Sequence, residues 1–214
     1  MKVYVLDGAS KIEDSAIQWG WSQMPAERVA RLKKMTTSKG RMMHVAAFLL
    51  LSYGLKEHQI DRKGIMLAYK NGKPYLANRA IYFNISHSHD AIACGISKDE
   101  CGVDIEKVRP VSDKLLKRVC SQEEWEQIFS APNREEAFAE IWAMKESYIK
   151  LKGGSVITDL KKISDQIKKE QAMVHVLKQQ GYGLCVCSFQ EKTAEKIIVT
   201  TQQIQSFCLK EAML

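Results

Sequence analysis

The sequence predicts an α+β protein built in two halves, and three observations predict it. Segments with helix signals precede segments with strand signals, and that order runs twice along the chain. A strong hairpin-turn dipeptide, Asn71-Gly72, sits inside the first strand-rich stretch. The 214 residues are 45% hydrophobic and 27% charged, with no Pro/Ser-rich linker, low-complexity tract or clear repeat, which suits a folded chain with a substantial core. The change of rhythm near Cys101 divides the chain into an N-terminal half, residues 1–101, and a C-terminal half, residues 102–214.

Val3 to Leu6 reads as a short strand. Pro25 opens a helical segment, PAERVARLKKM, at a position where its missing N–H costs nothing. A second helix is expected from the Thr36–Ser38 cap cluster to Gly54, with Val45, Phe48, Leu49 and Leu51 on or near one face. Strands follow at 65–69, 80–85, 91–96 and 102–108. Helix returns after Pro110: Ser121 and Glu124 have capping-box spacing, and Asn133 can cap a long helix over 134–152 that ends at Gly153-Gly154. Strands at 182–189 and 196–201 close the pattern.

Several function classes fall away on composition. No apolar run approaches the roughly 20 residues of a membrane span, and the N-terminal apolar run meets Asp7 too soon for a signal peptide. The six cysteines show no metal-binding spacing, so the expectation is reduced thiols in a cytoplasmic protein. The net charge of +7 suits a polyanionic partner, whether nucleic acid, a phosphorylated cofactor, an anionic membrane or an acidic protein.

The chemistry concentrates in three segments. In Cys101-Gly-Val-Asp-Ile-Glu-Lys107, a strand places Asp104 and Glu106 on one face and turns Val103 and Ile105 to the core. Paired hard oxygens on a rigid strand suit Mg2+, although on spacing alone the simpler reading is an exposed edge with two solvated acids. In Phe138-Ala-Glu-Ile-Trp-Ala-Met-Lys-Glu-Ser-Tyr-Ile-Lys150, a helix aligns Phe138, Trp142, Lys145 and Ile149, and sets Glu146 beside Lys150. These two are either a surface ion pair or a third metal ligand with a phosphate contact. Phe83-Asn-Ile-Ser-His-Ser88 ends a strand in hydroxyl and imidazole donors that suit a phosphate. Here too His87 and His89 can be ordinary loop histidines.

Taken together, Gly102-Val-Asp104-Ile-Glu106, Trp142-Ala-Met-Lys-Glu146-Ser-Tyr-Ile-Lys150, Asn71-Gly-Lys-Pro-Tyr75 and Phe83-Asn-Ile-Ser-His-Ser88 resemble, in order and spacing, the signature of the 4'-phosphopantetheinyl transferases, surfactin-synthetase-activating type. The resemblance runs from the N-terminal helix through the long helix and fades after Gly154. It implies two pseudo-symmetric α+β halves with the active site between them, carried by a monomer. It implies an enzyme that moves the 4'-phosphopantetheine arm of coenzyme A to a serine of an acidic apo carrier protein and releases 3',5'-adenosine bisphosphate. Asp104, Glu106 and Glu146 would be the magnesium ligands, and Lys150 the adjoining phosphate contact. Glu124 matches a carboxylate cast as the base, a role that competes with its capping box. Arg28 and Arg31, with Lys33 or Lys34 taking a share, would meet the 3'-phosphate. Gly72, Lys73 and Pro74 would be the turn that meets the nucleotide, Ser86 and His87 would be phosphate contacts after the strand, and Asn84 would join them in binding the coenzyme. The helix 48–52 lacks an arginine that relatives carry near its end, and Cys120 replaces a common aromatic residue.

The competing reading is a basic nucleic-acid-binding protein, but no zinc-finger, helix-turn-helix or RNP-like pattern supports it. Another Mg2+-dependent phosphoryl-transfer enzyme is the narrower alternative. The resemblance thus implies a partner set of coenzyme A and carrier domains, with no nucleic acid and no membrane.

Overall fold

Strand β1 (Lys2–Asp7) is buried on both faces: Tyr4 and Leu6 turn one way, Val3 and Val5 the other, and none is exposed. That double burial explains an unbroken apolar run where a half-exposed strand would alternate. In the computed structural model, residues 1–60, 67–70, 73–77, 81–154 and 159–213 are described, Tyr69, Lys70 and Lys73 by backbone alone.

A four-stranded sheet runs in the order β4 (Tyr82–Ser88), β5 (Ala91–Ser97), β1, β9 (Glu195–Val199), with β1 and β9 parallel and the other pairs antiparallel. A second sheet places β8 (Tyr182–Ser188) between β6 (Cys101–Lys107) and β7 (Met173–Val176), all antiparallel. The sheets pack on each other through Val3, Val5, Ala91 and Ala93 from the first and Val103, Ile105, Leu184 and Val186 from the second. Helices cover the outer faces. α3 (Ser38–Glu57) packs on the first sheet, with α1 (Asp14–Gln23) and α8 (Thr201–Ala212) packed against α3, and α6 (Arg134–Leu151) lies on the second. The α+β expectation holds, and each half is a long helix laid across a sheet. The C-terminal β9 and α8 join the N-terminal sheet and its core, so the chain crosses back over the seam.

The short hairpin β2 (Leu67–Lys70) and β3 (Lys73–Leu76) pairs Lys70 with Lys73. The expected turn residues between them, Asn71 and Gly72, lie outside the described residues. α2 (Ala26–Lys33) takes Pro25 as its N-cap rather than its first residue, and Thr37 caps α3 by accepting from the Gly40 N–H at 3.2 Å.

The expected stop at Gly54 is wrong, because α3 continues to Glu57. It ends where Gln59 takes φ 59° and donates to the Lys56 carbonyl, while the Ile60 N–H reaches back to Leu55. Gly54 instead permits close packing, since a Cβ there would stand 2.7 Å from Ile96 Cδ1 and 3.1 Å from the Tyr4 ring. The 154–194 region also holds α7 (Ile163–Glu170), which the sequence reading did not anticipate, nor did it anticipate α1 or α8.

Candidate active site

Two glycines bring α6 down onto the second sheet. A Cβ at Gly102 would stand 1.9 Å from the Ser147 carbonyl oxygen, and one at Gly183 would stand 2.3 Å from the Ala139 carbonyl. Backbone cannot yield as a side-chain tip can, so both positions need glycine. Beyond Gly102 on the same face of β6 come Asp104 and Glu106, placed by strand alternation beneath the helix that carries Glu146 and Lys150.

The edges of the two sheets meet where β4 passes β6, and side chains stitch them together. Asn84 Oδ1 accepts the Val103 N–H at 2.8 Å. Ser88 Oγ accepts the Lys107 N–H at 3.1 Å and donates to Glu106 Oε2 at 3.1 Å. Ser86 Oγ donates to Asp104 Oδ1 at 2.7 Å. Into this seam comes Lys150, whose ammonium donates to Asp104 Oδ1 at 2.6 Å, Ser86 Oγ at 2.8 Å and the Val103 carbonyl at 3.2 Å. Four expected site residues, Asn84, Ser86, Asp104 and Lys150, therefore share one hydrogen-bonded group spanning both halves.

Glu146 precedes Lys150 by one helical turn. Burial raises its carboxyl above the ordinary range, and the negative charges of Asp104 and, less strongly, Glu106 raise it further against the pull of Lys150. Glu106 also pairs with Arg109 at 3.1 Å. The donor set suits a hard divalent cation, because three carboxylates that repel one another lose that repulsion when one binds. Yet no group of three acidic, His or Cys side chains among the described residues is drawn in close enough to hold a metal, and Asp104 Oδ1 is held by the Lys150 ammonium. An incoming cation would have to draw Asp104 away from Lys150.

Glu124 has other partners. It lies on α5 (Gln122–Ser130) and is 5% exposed. One oxygen accepts the Ser121 N–H at 2.7 Å, completing the capping box, and the Lys145 ammonium at 2.6 Å, while the other accepts from Ser164. Lys145, 1% exposed, also donates to the Val119 carbonyl at 2.7 Å and the Leu160 carbonyl at 2.9 Å. This buried hub ties α5, α6, α7 and the end of α4 (Asp113–Val119) together, and the sequence reading assigned Lys145 no role. A lysine on the stripe of Phe138 and Trp142 was the signal for it.

On the N-terminal side, His87 is exposed and its ring meets the half-buried His44 ring edge-to-face, with centroids 5.2 Å apart. Burial and then the Lys150 charge lower the His87 pKa; burial, then His87 and Arg28, lower that of His44. Arg28 is buried with its guanidinium over the Phe48 ring, whereas Arg31 stays at the surface beside Glu27 at 3.7 Å, so the two do not face one place. Pro74 is half-buried in β3; Gly72 and the Lys73 side chain lie outside the described residues.

A model of the 4'-phosphopantetheinyl transferase superfamily matches residues 100–202, from the strand of Asp104 and Glu106 through the helix of Glu146 and Lys150 to the start of α8. Across that stretch, just under half of the chain, the sequence is similar to the 4'-phosphopantetheinyl transferase superfamily. It is 29% identical over 177 residues to the 4'-phosphopantetheinyl transferase gsp of Aneurinibacillus migulanus, covering 75% of this chain and 73% of that protein. It is 30% identical over 119 residues to the 4'-phosphopantetheinyl transferase Sfp of Bacillus subtilis, covering 54% of this chain and 53% of that one. To the 4'-phosphopantetheinyl transferase AcpT of Salmonella typhi it is 40% identical over 96 residues, covering 42% and 50%. The superfamily model takes in the carboxylates and Lys150 but ends short of the β4 residues and Arg28. No helix among the described residues is long and apolar enough to cross a membrane, and all six cysteines are buried, with no disulfide among the described residues.

Proposed function

We propose that this chain transfers the 4'-phosphopantetheine group of coenzyme A to the serine hydroxyl of an apo carrier protein with Mg2+, releasing 3',5'-adenosine bisphosphate. The observation that carries the reading is the Asp104–Ser86–Lys150 group at the seam, with Glu146 one turn away and raised by Asp104 and Glu106. Clustered acid beside a fixed ammonium is the polarity that a metal-bound pyrophosphate needs.

Asp104, Glu106 and Glu146 would hold the Mg2+, whose chemistry is to neutralise charge gathering on the pyrophosphate oxygens. Lys150, released from Asp104, donates to a phosphate oxygen from a rigid helix, so its charge is preorganised. Ser86 keeps one oxygen of Asp104 oriented. The serine hydroxyl oxygen of the carrier attacks the phosphorus that bears the pantetheine arm, its proton passes to solvent, the bridging P–O bond breaks, and the electron pair of that bond leaves on the adenosine bisphosphate. We assign Glu124 to the scaffold rather than to the base, because its oxygens already accept Lys145, Ser121 and Ser164.

The test is a thermal-shift titration. Coenzyme A with Mg2+ raises the melting temperature by mass action, and either one alone raises it less. An unchanged melting temperature at millimolar coenzyme A and Mg2+ would overturn the reading.

A further inference from the structure

Basic groups from four elements gather on the N-terminal side of the seam. Arg28 of α2 lies over Phe48, which is one turn from His44 on α3; His44 meets His87 of β4; and Lys150 of α6 is close enough to act on His87. Asp104, which Lys150 holds, pulls the other way on His87. Like charges so placed repel unless an anion joins them. His44 is the inner member, half-buried, with Arg28 and His87 both opposing its protonation, so its ring works as a neutral packing surface.

We propose that His44 is a positioning residue whose ring, set edge-to-face on His87, holds that exposed imidazole toward a phosphate monoester on the nucleotide end of the substrate. An exposed imidazole by itself samples several rotamers, and an aromatic partner at about 5 Å fixes its ring plane. Arg28, anchored over Phe48, acts on the His44 ring, and Lys150 acts on the His87 ring. The inference builds on the transferase reading above and adds a residue to it.

Isothermal titration with coenzyme A and with dephospho-coenzyme A, which lacks the 3'-phosphate, tests it. Wild type prefers coenzyme A. His44→Ala cuts that preference by about tenfold, the scale of one charge-assisted hydrogen bond left unaimed. His44→Phe, which keeps the packed ring, holds the preference within about twofold of wild type. A preference that survives His44→Ala overturns the inference alone. A preference lost equally in His44→Phe also overturns it, because a ring nitrogen rather than the packed ring would then be responsible. A wild type that binds neither compound overturns the transferase reading and the inference with it.

Discussion

At Glu146 negative charges meet before any ligand arrives, and two predictions follow from how the fold holds such charges. Its carboxyl is raised by burial, Asp104 and Glu106. A carboxyl held above its unfolded value binds its proton more tightly in the folded state. Ionised Glu146 is therefore a cost to the metal-free fold at neutral pH, a cost that is relieved as pH falls through the raised pKa. Glu146→Gln should raise the melting temperature of metal-free protein at pH 7 while lowering transfer by roughly a hundredfold or more. Differential scanning fluorimetry in EDTA checks the first part; a variant less stable than wild type would contradict it. Buried pairs act in the opposite sense. Lys145→Ala leaves Glu124 buried without its ammonium, at a cost of about 3–5 kcal/mol, readable by urea denaturation. Lys145→Met with Glu124→Gln should recover part of that loss. If Lys145→Ala costs under about 1 kcal/mol, the hub does not hold the helices.

Among the elements, glycine separates two kinds of close approach. At Gly102 the added Cβ would meet helix backbone at 1.9 Å, whereas at Gly54 it would meet the mobile tip of Ile96 at 2.7 Å and the Tyr4 ring at 3.1 Å. Gly102→Ala should lift α6, cost about 1–3 kcal/mol or more and lower transfer with it. Gly54→Ala gains helix propensity of about 1 kcal/mol, which offsets most of its strain. Equal destabilisation by the two would refute this account of the motif glycine. The same contrast shows what could be read from sequence. Gly54 looks like a stop because glycine ends helices; only the Tyr4 and Ile96 neighbours, distant in sequence, reveal its packing role. Strands β1, β4, β5, β6 and β8 were legible because β-branched and apolar runs between polar turns carry their own signal. Helices α1, α7 and α8 were not, because α1 holds a Gly20 that serves contact with Val45 and Leu49 and α7 is strongly polar. The site behaves the same way. Alternation put Asp104 and Glu106 on one face and helical spacing put Glu146 beside Lys150, but the Lys150–Ser86 bridge and the His44–His87 contact are long-range. The capping box of Ser121 and Glu124 was legible; that Lys145 closes over it was not.

For the molecule as a whole, the proposed function sets a basic surface near a site for anionic substrates. Lys114, Lys117 and Arg118 are exposed on α4, directly after the strand of Asp104 and Glu106. Under the proposed function, and with a net charge of +7, an acidic carrier domain would be steered toward such a face. Reversing Lys117 and Arg118 to Glu should raise the KM for carrier by several-fold at low salt, leave the KM for coenzyme A alone, and flatten the salt dependence of the rate. An unchanged carrier KM at low salt would place docking elsewhere. The central claim is transfer itself, and intact-mass spectrometry of apo carriers tests it most directly. Carriers of fatty-acid, polyketide and peptide assembly lines are each incubated with the protein, coenzyme A and Mg2+. The account predicts that at least one class gains the mass of a phosphopantetheine group, with no gain in EDTA or with Glu146→Gln. No gain in any class, or a gain that persists in EDTA and in Glu146→Gln, would contradict it.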